Sequence, residues 1–358
     1  MGNSTKIGRD HKSNRRKTVS HKKDKDFDYD LALKCERLLG ARVASMHYPG
    51  GRSRDTCKLE LMKGKPVFVS SRSNRFLAET ERNVLKTLSS KGLPVPKLLA
   101  SDGQKMLIQE EIPGERLSQA LQNQDESCLE QLLDTAITGL ADLHLAGSES
   151  GFDDTLLPIG NTHQWVVGLL NRPAVIGKHF EVPAPKPKLE QLETFLAIRN
   201  PRFIKWDARP GNAIVTKKGE VYWIDWEHCG TRNRIDALVW LLADEFLPNH
   251  PAVEERLLNK HLLRYADDLP YEKAMHYFSA YGVFHLTVRL GLIFKYKKDG
   301  KWWDHDRCLE RDRAGVTLPC VLGICDKGAR WAKQNPYTEA LEPWFEAMAD
   351  RFTALSDS

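Results

Sequence analysis

Asp207, Asn212 and Asp225 sit in this sequence as a reaction centre would require. The first two share the loop Lys205-Trp206-Asp207-Ala208-Arg209-Pro210-Gly211-Asn212, with four residues between them. A Lys217-Lys218-Gly219 turn then returns the chain, so that Asp225 ends an apolar strand over 221–224. Two carboxylates and one amide oxygen make an all-oxygen set, which suits Mg²⁺ better than a softer metal. Phosphoryl transfer asks little covalent chemistry of a protein but needs a positioned acceptor hydroxyl and cations bridging the phosphates. In such a reaction Asp207 would accept or orient the hydroxyl proton while Asn212 and Asp225 hold the metal. Alone, Asp-x-x-Pro-Gly-Asn is also what an ordinary turn demands. The later Asp225 lifts the set above that reading.

The Asp-x-x-x-x-Asn loop with a following Asp resembles the catalytic and metal-binding segments of the protein-kinase-like fold. More closely, Asp207-x-x-Pro210-Gly211-Asn212 and Ile224-Asp225-Trp226-Glu227 resemble the aminoglycoside phosphotransferase and choline kinase superfamily, over about residues 40–245. The resemblance implies a small-molecule kinase that moves the γ-phosphate of ATP, or GTP, to a substrate hydroxyl with Mg²⁺. It makes Glu81, rather than Glu79, the carboxylate of the helix that packs on the nucleotide sheet, because Leu85 and Leu88 follow at the family's spacing. It places adenine over residues 106–114, with Gln109, Glu110 and Ile112 as contacts, and the phosphates under the Gly50-Gly51 turn. Residues 140–144 match the helix before the catalytic loop, and Asp236 matches the buried Asp that braces the loop from below.

The departures from that pattern are specific. Ser70 stands where the family carries the phosphate-holding Lys or Arg, leaving Arg72, on the same strand face, as first substitute and Lys58 as second. Lys205 replaces the His two residues before the catalytic Asp, and Asp236 lies one residue further from Gly230 than usual. The absent strand lysine motivates an alternative, a catalytically silent kinase-like binding protein. Glu227 and His228 suit either substrate contact or a surface role. Trp302 and Trp303, beside Asp304 and Asp306, suit either the wall of a site for a cationic or sugar substrate or simple packing.

Around these residues the pattern predicts an α+β, bilobal protein-kinase-like fold, with a small β-rich N-terminal lobe and a larger α-helical C-terminal lobe. Short β segments at 40–48, 56–61 and 67–69, a helix over 74–88 and a strand over 105–110 compose the first. Helices over 129–145, 234–246, 253–265, 271–296 and 337–355 compose the second, with a Pro-rich surface loop at 181–188. The boundaries follow as a flexible basic tail (1–26), a nucleotide-binding lobe (27–111) and a catalytic and substrate lobe (112–358).

Composition bounds the alternatives. With 41% hydrophobic and 28% charged residues the chain is neither disordered overall nor a disulfide scaffold. Residues 1–26 hold nine Lys or Arg against three Asp, so of the net +5 the remainder is one charge short of neutral. Nucleic acid is therefore no expected partner of the folded part, and a tail contact with nucleic acid or an acidic surface stands as a third reading. Seven scattered cysteines read as free thiols of a reducing, cytoplasmic setting. No run approaches ~18 consecutive apolar residues, so no membrane span is expected.

Overall fold

The computed structural model describes residues 29–49, 51, 56–297 and 300–356. The basic tail over 1–26 and Gly50 lie outside them. Helix α1 (29–39) leads into β1 (Val43–His47), β2 (Thr56–Leu61), β3 (Val67–Ser71), α2 (Arg75–Ser90), β4 (Leu98–Ser101) and β5 (Met106–Glu110). The strands form one antiparallel sheet in the order β1-β2-β3-β5-β4. Its inner residues Cys57, Leu59, Val67, Val69, Met106 and Ile108 pack with Cys35 of α1 into a small separate core.

Helix α2 begins where the Asn74 side chain accepts from Leu77 N at 2.9 Å and ends as the chain turns left-handed at Gly92 (φ +73°). Its inner face carries Ala78, Glu81, Val84, Leu85 and Leu88 at helical spacing. Burying Leu85 and Leu88 contributes about 1.5–3 kcal/mol each. That burial fixes the one charged member of the face, Glu81, at 0% exposure.

Beyond residue 111 the chain is mostly helical. It runs through β6 (Glu115–Arg116), α3 (Leu117–Ala120), α4 (Glu126–Glu149), α5 (Phe152–Thr155), α6 (His163–Leu170), α7 (Arg172–Phe180) and α8 (Leu189–Phe195). Then come β7 (Arg202–Lys205), a 3₁₀ turn (Pro210–Asn212), β8 (Ala213–Val215), β9 (Val221–Trp223) and β10 (Cys229–Arg232). The last helices are α9 (Ile235–Leu242), α10 (Pro251–Tyr265), α11 (Tyr271–Tyr296), α12 (His305–Glu310), α13 (Leu318–Ala332) and α14 (Glu342–Ala354). Two small sheets, β10-β7 and β6-β8-β9, frame the Asp207 loop. The β8–β9 hairpin register, Ala213 opposite Trp223, places Asn212 opposite Ile224, whose N–H donates to the Asn212 carbonyl, and so next to Asp225.

The boundaries of the expected helices shift by a few residues, and the segment over 337–355 resolves into a 3₁₀ turn (Glu339–Leu341) followed by α14. Among the described residues α11 alone is long and apolar enough to cross a membrane, and 78% of that stretch is buried in the protein core. All seven cysteines are free, six of them buried.

Gly147 and Gly139 of α4 test the packing of this lobe with opposite signs. A methyl group on Gly147 would collide with the Phe203 ring of β7, whereas one on Gly139 meets nothing within 4 Å. Gly147→Ala is therefore expected to lose about 1–3 kcal/mol to overpacking, while Gly139→Ala gains up to about 1 kcal/mol of helix propensity. Denaturant midpoints of the two variants check this.

Candidate active site

The Arg72 guanidinium lies just past the end of β3 and is the hub of the site. It donates to both carboxylate oxygens of Glu81, at 2.5 and 2.8 Å, approaches Asp225 Oδ1 at 2.9 Å and meets Glu227 Oε1 at 3.2 Å. Its side chain is only 9% exposed. Ser70 is buried beside it on the wall of the same cavity. Lys58 instead pairs with Glu60 and Glu111, at 3.1 and 2.8 Å, and the structure thus favours Arg72 over it as the cation facing the cavity. Glu81 also accepts from Gln109 Nε2 (3.0 Å) and from Trp226 N (3.3 Å), which saturates a carboxylate that burial would otherwise penalise.

One guanidinium faces three carboxylates here, and the imbalance shows in their ionisation. Burial alone would raise the Asp225 carboxyl, but Arg72, and after it Lys205, hold it below the usual range. Glu227 is pushed up, by burial first and by Asp225, against the opposing pull of Arg72. Asp225 itself has a left-handed backbone (φ +60°), a conformation a non-glycine residue keeps only when its surroundings enforce it. Its Oδ1 is buried and, although near Arg72, receives no aligned hydrogen bond.

The Asp207 loop is pinned from both sides. Below, the Lys205 ammonium, fully buried, donates to the backbone oxygens of Asp207 (3.2 Å) and Asp225 (2.6 Å) and lies 5.5 Å from the Trp226 ring centre. Burial draws its pKa down against the pull of Asp207 and Asp225. The Lys205 N–H is received by His144 Nε2 at 3.0 Å, and burial holds that imidazole neutral. Above, Arg116 donates to the Gly211 carbonyl and Arg209 pairs with Asp312. Within the loop, Asn212 Nδ2 donates to Asp207 Oδ2 at 2.8 Å and to its carbonyl at 3.0 Å. This leaves the Asn212 amide oxygen for a cation.

Asp236 is buried as expected, but its partners are Arg232 and Tyr277. It reaches the loop through Arg232, whose guanidinium lies 5.6 Å from the Trp206 ring centre. Among the described residues no group of three or more His, Cys, Asp and Glu is arranged to hold a metal. The fit of a hard cation rests instead on Asp225, whose buried Oδ1 has Arg72 beside it but no aligned hydrogen bond, on the Asn212 amide oxygen and on the three carboxylates around Arg72.

Two cavities meet at these residues. One, of about 710 Å³, is lined by Ser70, Arg72, Gln109, Glu110, Ile112 and Glu227 among others; Glu81 lies behind it, through Arg72 and Gln109. The other, of about 980 Å³, is walled by α6, α7 and α11 and contains Asp207. Asn212, Asp225, His228 and Asp312 line both. Gly51 has the left-handed φ of a tight turn (+89°), closed by a hydrogen bond to Tyr48 O. Trp303 lines the larger cavity, whereas Trp302 is turned to Ser356. Arg116, Arg209, Asp312 and Arg232 escaped the sequence reading. Arg209 carried a signal, lying inside the loop itself, but Asp312 is 103 residues from its partner.

A double-mutant cycle measures the hub. Arg72→Met or Glu81→Met alone leaves a buried charge short of its partner and should cost about 3–5 kcal/mol. The double variant should cost less than the sum of the two by roughly 2 kcal/mol. Urea unfolding of the four proteins reads the coupling directly.

Comparison with known proteins agrees with this architecture. Spectinomycin phosphotransferase in complex with ADP and spectinomycin superposes with a TM-score of 0.51 at 12% identity, covering 92% of this chain and 98% of that one. Its AMP-bound complex gives 0.52 at 11% identity, over 75% and 91%. The choline kinase of Streptococcus pneumoniae gives 0.49 at 16% identity, over 84% and 99%. No curated protein matches the chain. The phosphotransferase enzyme family model matches residues 48–270, which carry the Arg72–Glu81 pair, the Asp207 loop and Asp225. With the kinase-like fold already in place, that match establishes that the chain belongs to the phosphotransferase enzyme family.

Proposed function

We propose that the protein is a small-molecule kinase that transfers the γ-phosphate of ATP, with GTP the other candidate, to an alcohol hydroxyl. The observation that carries this reading is the division of the site. Arg72 and the Gln109–Ile112 strand end line only the smaller cavity, Asp207 lines only the larger, and Asn212 and Asp225 stand where the two meet. A nucleotide held in the first would present its terminal phosphate at the junction, and an acceptor in the second would present its hydroxyl to Asp207. The relatives solved with ADP and AMP support the nucleotide assignment.

Asp207 takes the proton of the acceptor hydroxyl as that oxygen forms its bond to phosphorus and the bond to the nucleoside diphosphate breaks. Its Oδ2 is fixed by Asn212 Nδ2, which keeps the carboxylate in one rotamer for the transfer. Asn212 and Asp225 would hold Mg²⁺, whose charge would offset the negative charge that develops during the transfer. Arg72 would supply the phosphate-facing cation that Ser70 lacks, which supports a kinase over a silent binding protein. The lobes divide accordingly into residues 27–111 for nucleotide and 112–358 for catalysis and acceptor. Seven free thiols suit a reducing compartment such as the cytoplasm.

Calorimetry with ADP checks the metal and nucleotide roles together. Affinity should rise markedly with Mg²⁺ in the parent protein, and Asp225→Asn should lose that rise. Equal affinity with and without Mg²⁺ in the parent would remove the metal from the account. Asp207→Ala should keep the parental nucleotide affinity and cut phosphoryl transfer by a factor on the order of 10² or more.

A further inference from the structure

The larger cavity carries information on the acceptor that the family does not supply. Its charged lining holds four arginines, Arg172, Arg209, Arg289 and Arg313, against three aspartates. Apart from Asp207 and Asp225, which the reaction uses, Asp312 is its only carboxylate among the described residues, and that group is taken by Arg209 and Arg116. On the cationic side Arg289 is paired with the buried Glu245, at 2.7 and 2.8 Å. Arg172, at the start of α7, and Arg313, after α12, are exposed and have no ion-pair or hydrogen-bonding side-chain partner among the described residues. The open cavity therefore offers two free guanidinium groups and no free carboxylate outside the transfer centre.

Its aromatic wall points the same way. Trp165, Trp206 and Tyr281 would be the natural cage for an ammonium or trimethylammonium group. The guanidinium of Arg232 already occupies the point on which they converge, 4.8, 5.6 and 5.5 Å from the three ring centres. It is locked there by Asp236 and by the carbonyls of Ile159 and Gly160. A cationic acceptor would find its cage filled and its counter-ions spent, and the Arg172 and Arg313 charges would oppose it. An oxyanion would find two unpaired planar donors made for carboxylate or phosphate. Trp165, Trp240 and Trp303 line the cavity and supply aromatic surface for a ring.

Resting on the kinase reading above, we infer that the acceptor is an anionic hydroxyl compound with a ring face, carrying a carboxylate or phosphate that Arg172 and Arg313 receive. This acceptor is neither a polycation nor a quaternary ammonium alcohol.

The test uses pyranoses that share one ring and differ in charge: glucose 6-phosphate, glucuronate, glucose and glucosamine, with kanamycin as a polycation. Each is titrated into the full-length protein saturated with Mg·ADP. At least one anion should bind on the order of tenfold or more tighter than glucosamine, and which of the two does so distinguishes phosphate from carboxylate recognition. Arg172→Gln and Arg313→Gln should each reduce that preference, with the melting temperature held because both side chains are exposed. Glucosamine or kanamycin binding as tightly as the anions overturns the inference, and so does binding of neither anion while Mg·ADP binds. Failure of Mg·ADP itself to bind strikes the kinase reading instead.

Discussion

The structure depends on one buried charge hub. Arg72 reaches from the end of β3 to Glu81 on α2 with a two-pronged bond, and its remaining donors meet Asp225 and Glu227 of the other lobe. Taking a guanidinium out of water costs several kcal/mol, recovered only when its donors are well placed. Three carboxylates around one cation achieve this for Arg72 and leave the region electronegative. Burial first, and then the neighbouring Asp225, raises the Glu227 carboxyl, and Asp225 Oδ1 sits beside Arg72 without an aligned hydrogen bond. Helix placement and lobe contact thus share one cause.

A second buried cation performs a related service for the loop. Lys205 bonds two backbone carbonyls, one beside each key carboxylate, and so fixes the separation of Asp207 and Asp225 without drawing on either side chain. Burial lowers its pKa, yet the neighbouring carboxylates oppose that drift. Arg232 repeats the pattern below Trp206, with Asp236 as counter-ion. The site is built by bringing arginine and lysine inward against carboxylates and carbonyls.

Much of this was legible because short-range rules govern it. The Asp207 loop is a turn whose residue types also carry chemistry, and a one-residue slip of its hairpin would turn the buried Trp223 outward. Short β-type segments set off by turn residues and the apolar stripe of α2 marked the small lobe, and the same-face relation of Ser70 and Arg72 pointed to the substitute cation. The rest rests on distance in sequence. Helix α1 abuts a charged tail that hides its periodicity. Asp312 and Arg232 owe their roles to partners on other elements, and the Asp236 brace is indirect because an arginine stands between it and the loop. Lys58 sat on an adjacent strand with the right charge, but its ammonium is taken by Glu60 and Glu111.

The central claim is that Arg72 performs the work of the lysine that Ser70 replaced. Both residues line the nucleotide cavity, so the cation can be moved rather than removed. Mg·ADP affinity measured by calorimetry in Arg72→Ala and in the double variant Ser70→Lys/Arg72→Ala tests this most directly. The account predicts a loss on the order of tenfold or more in the first and recovery of most of it in the second. Parental affinity in Arg72→Ala would contradict it.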